Sequence, residues 1–420
     1  MKTKLILIFK IISAASFIYI GALIFLLMNN DVFKVNDTII TFSIIDFLLT
    51  IFMFSFLILG YRYKILKVFD YLTFYGLKLK KNLIILLIAF LYPVYLLYRN
   101  FTLVLINGFN REALILLPSN VIEYILSSFF FILVPCSIVY NYEKKTRLVI
   151  IVGALFFMAY QLSRSPIFFI GLCTLLLFSF KGIIINKFKL LFSIFLLSIL
   201  LGVTTIYQGR AESILEGFLN VSDALFRYRS YSFYLAQFVF EASDGIDKIL
   251  FPFFGWFSER SLTIFWDLEQ PISTSGSDFV YKFRYIGRYR PNVLYPWWAF
   301  FYAKFGFIGL FLKMVYSFII FRILVAIKLP LTLLYFLYIL LFYQFVRHPF
   351  INASGAYNFM SIIFLDIILM NSKYNYYAPN ASNNNSFYKS NLTNYGSTVL
   401  LTTQEFSNYF SKYSWLSNFY

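Results

Sequence analysis

Apolar residues in this chain come neither in strict alternation nor in narrow stripes. They come in unbroken blocks, each closed off by a short polar connection. A block of about 20 apolar residues, rising about 1.5 Å per residue as a helix, covers a hydrocarbon core of about 30 Å. Such blocks recur at about residues 7–28, 38–60, 82–98, 120–141, 148–163, 166–180, 190–207, 297–320, 329–346 and 354–371. The pattern predicts an all-α fold, a polytopic membrane protein with about ten transmembrane helices. One segment breaks the pattern: residues 208–296 hold ten acids and nine bases, seven of the bases being arginine. A polar segment of that length predicts one large loop outside the membrane, and long ordered loops usually carry function. Four parts follow: an N-terminal transmembrane bundle of about seven helices over 1–207, the large loop over 208–296, about three C-terminal helices over 297–371, and a polar tail over 372–420. The tail is dominated by Asn, Ser and Tyr and is expected to be disordered.

Charge orients the bundle. One set of short connections carries Lys2, Lys4, Arg62, Lys64, Lys67, Lys78, Lys80, Lys81, Lys144, Lys145, Arg147, Lys181, Lys187, Lys189, Arg322 and Lys328. The alternate set carries only Lys34, Arg99, Arg111, Arg164 and Arg347. By the positive-inside rule the first set is cytoplasmic, which places both termini inside and 208–296 in the periplasm. The inner set is mostly lysine, which suffices for topology, whereas the outer side favours arginine, whose planar fork grips phosphate or carboxylate. A formal charge of +17 therefore reflects topology and gives no reason to expect nucleic acid. With 60% hydrophobic and 13% charged residues the chain is excluded from the water-soluble enzymes. Residues 5–28 are too long for a signal-peptide core and lack a small-residue cleavage pattern, so a retained first helix is expected. Cys136 and Cys173 both sit in apolar segments, which excludes a disulfide framework or a cysteine metal site. No internal repeat is evident, which counts against transporters built from inverted halves.

Four constellations carry candidate chemistry. In "QLSRSP" at 161–166, Arg164 is the one charge between residues 148 and 180, and Pro166 is expected to open a second short helix. An arginine at that depth is either a headgroup-snorkelling side chain or a functional group. In "YKFRYIGRYRPNVLYPWW" at 281–298, Arg284, Arg288 and Arg290 alternate with Tyr285 and Tyr289. The arginines suit a pyrophosphate and the rings suit sugar faces, whereas Trp297 and Trp298 read as a membrane-interface belt. In "GRAESILEGF" at 209–218, Arg210 opens the loop, and Glu212 and Glu216, one turn apart, are either general-base candidates or acids of a solvated amphipathic helix. In "FVRHPF" at 345–350, His348 is the only histidine and has Arg347 beside it. It can serve as a base or phosphate donor, or simply as structure.

The "SRS" turn between two short helices, the large late loop and the loop exit "RPNVLYPWWAFFYAKFGFIG" together resemble the O-antigen polymerase (Wzy-type) family. The resemblance covers residues 1–371. It implies a membrane glycosyltransferase of the cell inner membrane that joins undecaprenyl-pyrophosphate-linked oligosaccharide repeat units on the outer face, with a chain-length regulator as a possible protein partner and membrane lipids around it. Arg164, Arg210, Arg288, Arg290 and His348 are the catalytic candidates it leaves, and Arg284, Arg347, Tyr285 and Tyr289 the substrate-binding ones. Arginines preorganised at headgroup level would stabilise the leaving pyrophosphate without metal or cofactor. Related ligases often place histidine in the large loop, and 208–296 holds none, which favours polymerase over ligase. A flippase or transporter stays open, although only Asp46 and Asp366 sit plainly within helices, with Lys10, Glu123, Lys304 and Lys313 read as nearer helix ends. A polyprenyl-phosphate-sugar-dependent glycosyltransferase stays open too, because Asp31 and Asp37 lie in the first outer loop.

Overall fold

The computed structural model describes residues 2–107, 120–161, 165–182, 199, 202–203, 205–206, 211–241, 249–265 and 295–371. The described residues form helices and no strands. In chain order these are α1 (Lys2–Met28), α2 (Asn30–Phe33), α3 (Asp37–Phe69), α4 (Tyr71–Lys81), α5 (Leu83–Asn107), α6 (Val121–Val139), α7 (Lys144–Gln161), α8 (Ser165–Lys181), α9 (Ile214–Glu241), α10 (Phe251–Phe254), α11 (Trp256–Phe265), α12 (Trp297–Ile327), α13 (Pro330–Tyr338) with a π-turn at Ile339–Tyr343, and α14 (Ala353–Asn371). Six stretches among them are long and apolar enough to cross a membrane: Phe9–Met28, Asp37–Lys81, Leu83–Ile106, Val121–Val139, Trp297–Ile327 and Ala353–Met370. Ser165–Lys181 and Pro330–Tyr343 are shorter apolar helices, and the span expected at 148–163 is the C-terminal part of α7. The span expected at 190–207 falls almost wholly outside the described residues, and the tail expected over 372–420 falls wholly outside them.

Local signals set the helix ends. Asn36 accepts the Thr38 N–H at 2.9 Å and opens α3, with Asp37 in the first turn against the positive helix end. Asn29 closes α1 by donating to the Phe25 carbonyl at 2.8 Å. Pro166 stands in the first turn of α8, where its missing N–H costs no hydrogen bond. The start of α13 is buried and has no cap of its own. Asp366, reaching across from α14, accepts from Leu331 N, Thr332 N and Thr332 Oγ1 at 3.1, 2.7 and 2.7 Å, and Tyr75 of α4 adds a fourth bond at 3.0 Å. One carboxylate thereby locks three helices together.

Two apolar cores result. The larger joins the second half of α3 to α4, α6, α7, α8, α13 and α14, with residues of α1, α5 and α12 packed into it. Phe130 packs on Phe157 across α6 and α7 with ring centroids 5.8 Å apart. A Cβ on Gly153 would stand 2.3 Å from the Phe130 ring, so only glycine lets these helices approach. The smaller core joins α1, the first half of α3, α9 and the start of α12.

Three expectations need correcting. The segment 208–296 was expected to stand as a loop outside the bundle, but α9 lies along α1 within its apolar span. Ser230 Oγ donates to the Ala22 carbonyl at 2.7 Å, and a Cβ on Gly21 would meet the Phe226 ring at 2.2 Å. Trp297 and Trp298, expected in an interface belt, are 0% and 1% exposed, Trp297 against α10 and the 344–350 turn and Trp298 within the smaller core. Trp297 Nε1 donates to the Pro252 carbonyl at 2.7 Å, and Trp297 N to Gln344 O at 2.9 Å. Lys313, expected near a helix end, lies mid-way along α12, buried and ion-paired with Asp46 of α3.

Candidate functional site

Helices that alternate in direction must bring like ends together. At one pole Lys80 pairs with Glu143 at 3.5 Å, Lys181 donates to the Val139 carbonyl at the end of α6, and Lys78 donates to the Leu369 and Met370 carbonyls at the end of α14. Cations seated on helix C-termini are favourable. This is the lysine-rich pole. The start of α6, the end of α7 and the starts of α8 and α14 therefore meet at the opposite pole, and a cavity of about 390 Å³ opens among them.

Tyrosine and small polar groups dominate the cavity lining. α6 contributes Glu123, Tyr124, Ser127 and Ser128; α7 contributes Tyr160 and Gln161; α8 contributes Ser165 and Pro166. Tyr335, Tyr338 and Tyr343 form one wall, with Tyr335 and Tyr338 stacked at 6.2 Å. Ser128 Oγ and Asn358 Oδ1 are bonded at 2.9 Å across α6 and α14. Glu123 is held from two directions. Asn120 caps α6 through Ile122 N at 3.3 Å, and its own backbone N–H bonds the Glu123 carboxylate three residues on, a capping box. From α7, Tyr160 donates its hydroxyl to Glu123 Oε2 at 3.0 Å, and Arg99 of α5 donates Nη2 to Tyr160 at 2.9 Å.

Three arginines bear on the tyrosines of this lining. Arg99 lies with its guanidinium 5.7 Å from the Tyr160 ring centre. Arg229 of α9 is an electrostatic neighbour of Tyr338, and Arg347 of Tyr335. Arg229 Nε is buried without a hydrogen-bond partner among the described residues. The cavity lining thus combines one carboxylate, several hydroxyls, amides and aromatic faces, and guanidinium groups act on its tyrosines. Its size suits a small polar ligand such as one or two sugar rings.

Of the residues singled out from the sequence, Arg347 is half-buried and acts electrostatically on Tyr335 of the cavity wall without lining the cavity. His348 does not reach it. Its side chain is fully buried among Phe251, Trp297, Phe300 and Phe350, with Nδ1 accepting from Phe350 N at 3.0 Å and Nε2 donating to the Phe251 carbonyl at 3.2 Å. Burial pushes its pKa down to about 3. With both nitrogens engaged by backbone, the ring has none to offer a substrate, and a catalytic part for His348 is withdrawn. Glu212 and Glu216 are exposed at the start of α9, where Ser213 Oγ accepts Glu216 N at 3.1 Å and Glu216 accepts Glu212 N at 2.9 Å. These contacts cap the helix. Arg164, Arg210, Arg284, Tyr285, Arg288, Tyr289 and Arg290 lie outside the described residues. Gln161 and Ser165, which bracket Arg164 in sequence, both line the cavity.

Sequence reasoning passed over Glu123, Tyr160 and Arg99. The signals were present: Asn120 three residues ahead of Glu123 is a capping-box spacing, and Tyr335 and Tyr338 share a helix face. Among the described residues no group of three or more His, Cys, Asp or Glu could hold a metal ion. Set against protein-family models, curated proteins and solved structures, the chain matches none of them.

Proposed function

We propose that this chain is a membrane glycosyltransferase of the O-antigen polymerase type, joining polyprenyl-pyrophosphate-linked repeat units at the pole opposite its lysine-rich face. The observation that carries the reading is the tyrosine-lined cavity, flanked in sequence by the "QLSRSP" turn, with Arg99 bonded to Tyr160 of its lining and Arg229 and Arg347 acting electrostatically on Tyr338 and Tyr335. Aromatic faces and hydroxyls suit a sugar, and guanidinium groups suit the charge that grows on a departing pyrophosphate. Arg164, next in sequence to Ser165 of the lining, takes the first place among those groups in this proposal, and Arg210, Arg288 and Arg290 of the loop ends are its further candidates. The enzyme would act at the outer face of the inner membrane, with the lipid-linked oligosaccharide as substrate and no metal in the step.

A second reading draws on the buried Asp46–Lys313 pair. Ion pairs deep within spanning helices mark transport pathways more often than glycosyl transfer, which favours a flippase for the same lipid-linked substrate. One deletion strain separates the readings. Loss of a polymerase leaves single repeat units exported and attached to the surface acceptor. Loss of a flippase leaves no exported units, and loss of a ligase leaves long chains on the carrier lipid. A full ladder of chain lengths in the deletion strain, with no second polymerase present, sinks the proposal.

A further inference from the structure

Glu123 is the single acid among the described residues lining the cavity. It is 5% exposed, and the surface it keeps belongs to a cavity, not to open solvent. The capping box fixes its backbone, and the Arg99–Tyr160 relay fixes one carboxylate oxygen. The hydrogen-bond directions require an acceptor at Glu123: Arg99 donates to Tyr160, which leaves the Tyr160 proton for Oε2. We infer that Glu123 is the general base of the cavity, taking the proton of a sugar hydroxyl on an acceptor glycan that rests against the tyrosine wall.

Charge decides which substrate part sits here. A pyrophosphate beside a carboxylate would be repelled, whereas a neutral sugar ring meets Tyr335 and Tyr338 with its faces and Ser127, Asn358 and Glu123 with its hydroxyls. The anionic half of the donor is left to the arginines. In the transfer the acceptor oxygen bonds the donor's anomeric carbon, and its proton passes to Glu123. The bond from that carbon to the pyrophosphate breaks, and its electron pair leaves on the pyrophosphate oxygen. The proton then returns to solvent. No oxidant, metal or further reactant is consumed.

The inference rests on the glycosyltransferase reading, and the test keeps the two apart. The competing role for Glu123 is helix capping alone. Glutamine caps as glutamate does but cannot take a proton, so Glu123→Gln separates them. The full chain, purified in lipid nanodiscs, is assayed for elongation of polyprenyl-pyrophosphate-linked repeat units across acidic to neutral pH. The wild type should lose rate on the acid side as its carboxylate is protonated. Glu123→Gln should accumulate normally and lose about 10²-fold or more in rate, with the acid limb gone. Tyr160→Phe removes a hydrogen bond to the ionised carboxylate, so its acid limb should move to higher pH. A Glu123→Gln protein that keeps most of the wild-type rate, or a Tyr160→Phe protein with an unmoved acid limb, overturns the inference and leaves the glycosyltransferase reading standing. A wild-type protein that elongates nothing ends both.

Discussion

His348 shows how a residue with obvious chemistry is spent on structure. It bridges the turn before α14 to α10 through two backbone bonds, and four aromatic rings exclude water from it. Its folded pKa of about 3 lies below the ordinary value of 6.5, so an unfolded chain binds a proton that the folded chain refuses. Stability owed to neutral His348 is therefore whole above about pH 6.5 and is lost as pH falls toward 3, at up to about 1.4 kcal/mol per pH unit. Thermal unfolding in detergent should show that acid limb in the wild type and a flatter one in His348→Gln. The Asp46–Lys313 pair poses a different residue-scale question. Removing one partner strands a buried charge, so Lys313→Ala should cost about 3–5 kcal/mol. Asp46→Leu with Lys313→Leu should recover most of that loss in the same unfolding assay, because two apolar side chains leave nothing unpaired. A double variant that is stable yet inactive would give the pair a role in function and favour the transport reading.

At the scale of elements, glycine decides where helices bend and how closely they pack. Gly306 has φ 60° inside α12, a conformation that a Cβ strongly disfavours, and it divides the helix into two arms. A Cβ on Gly309 would stand 2.1 Å from the Phe301 carbonyl. Gly306→Ala should therefore straighten or strain α12 and lower the unfolding temperature, while Gly171→Ala, with open space around the added Cβ, should be neutral or slightly stabilising. The block rule made α1, α3, α5, α6 and α14 legible, and Pro166 marked the start of α8. It failed on α9. Between Ile214 and Glu241 the charges at Glu216, Arg227 and Arg229 lower the mean hydropathy, so the stretch reads as polar, although Tyr231, Phe233, Leu235, Ala236 and Val239 are buried. A one-sided helix against α1 has the composition of a loop. Its docking is open to a direct test. Ala22→Cys combined with Ser230→Cys, with Cys136 and Cys173 replaced, should cross-link under mild oxidation, whereas Ala22→Cys combined with Glu216→Cys should not.

For the whole molecule, opposite poles carry opposite chemistry. Lysine-capped helix ends gather at one, and the tyrosine cavity opens at the other. The alternation of lysine-rich and lysine-poor connections made that polarity legible in the sequence. The cavity itself was not, because its parts come from helices far apart in the chain. Glu123 and Tyr160 are 37 positions apart, and Ser128 and Asn358 are 230 apart, so no local motif announces them. The positive-inside rule turns the lysine-poor pole outward as an expectation, and that orientation determines whether the cavity can meet exported, lipid-linked sugar. Glu212 is exposed at the start of α9 and is expected outside by the positive-inside rule, and Lys80 is exposed at the lysine pole. In a background without native cysteines, Glu212→Cys should react with a membrane-impermeant thiol reagent added to spheroplasts, and Lys80→Cys only after lysis. The converse labelling would open the cavity to the cytoplasm. There the repeat units have not yet been exported, and the polymerase reading would fall with the topology that supports it.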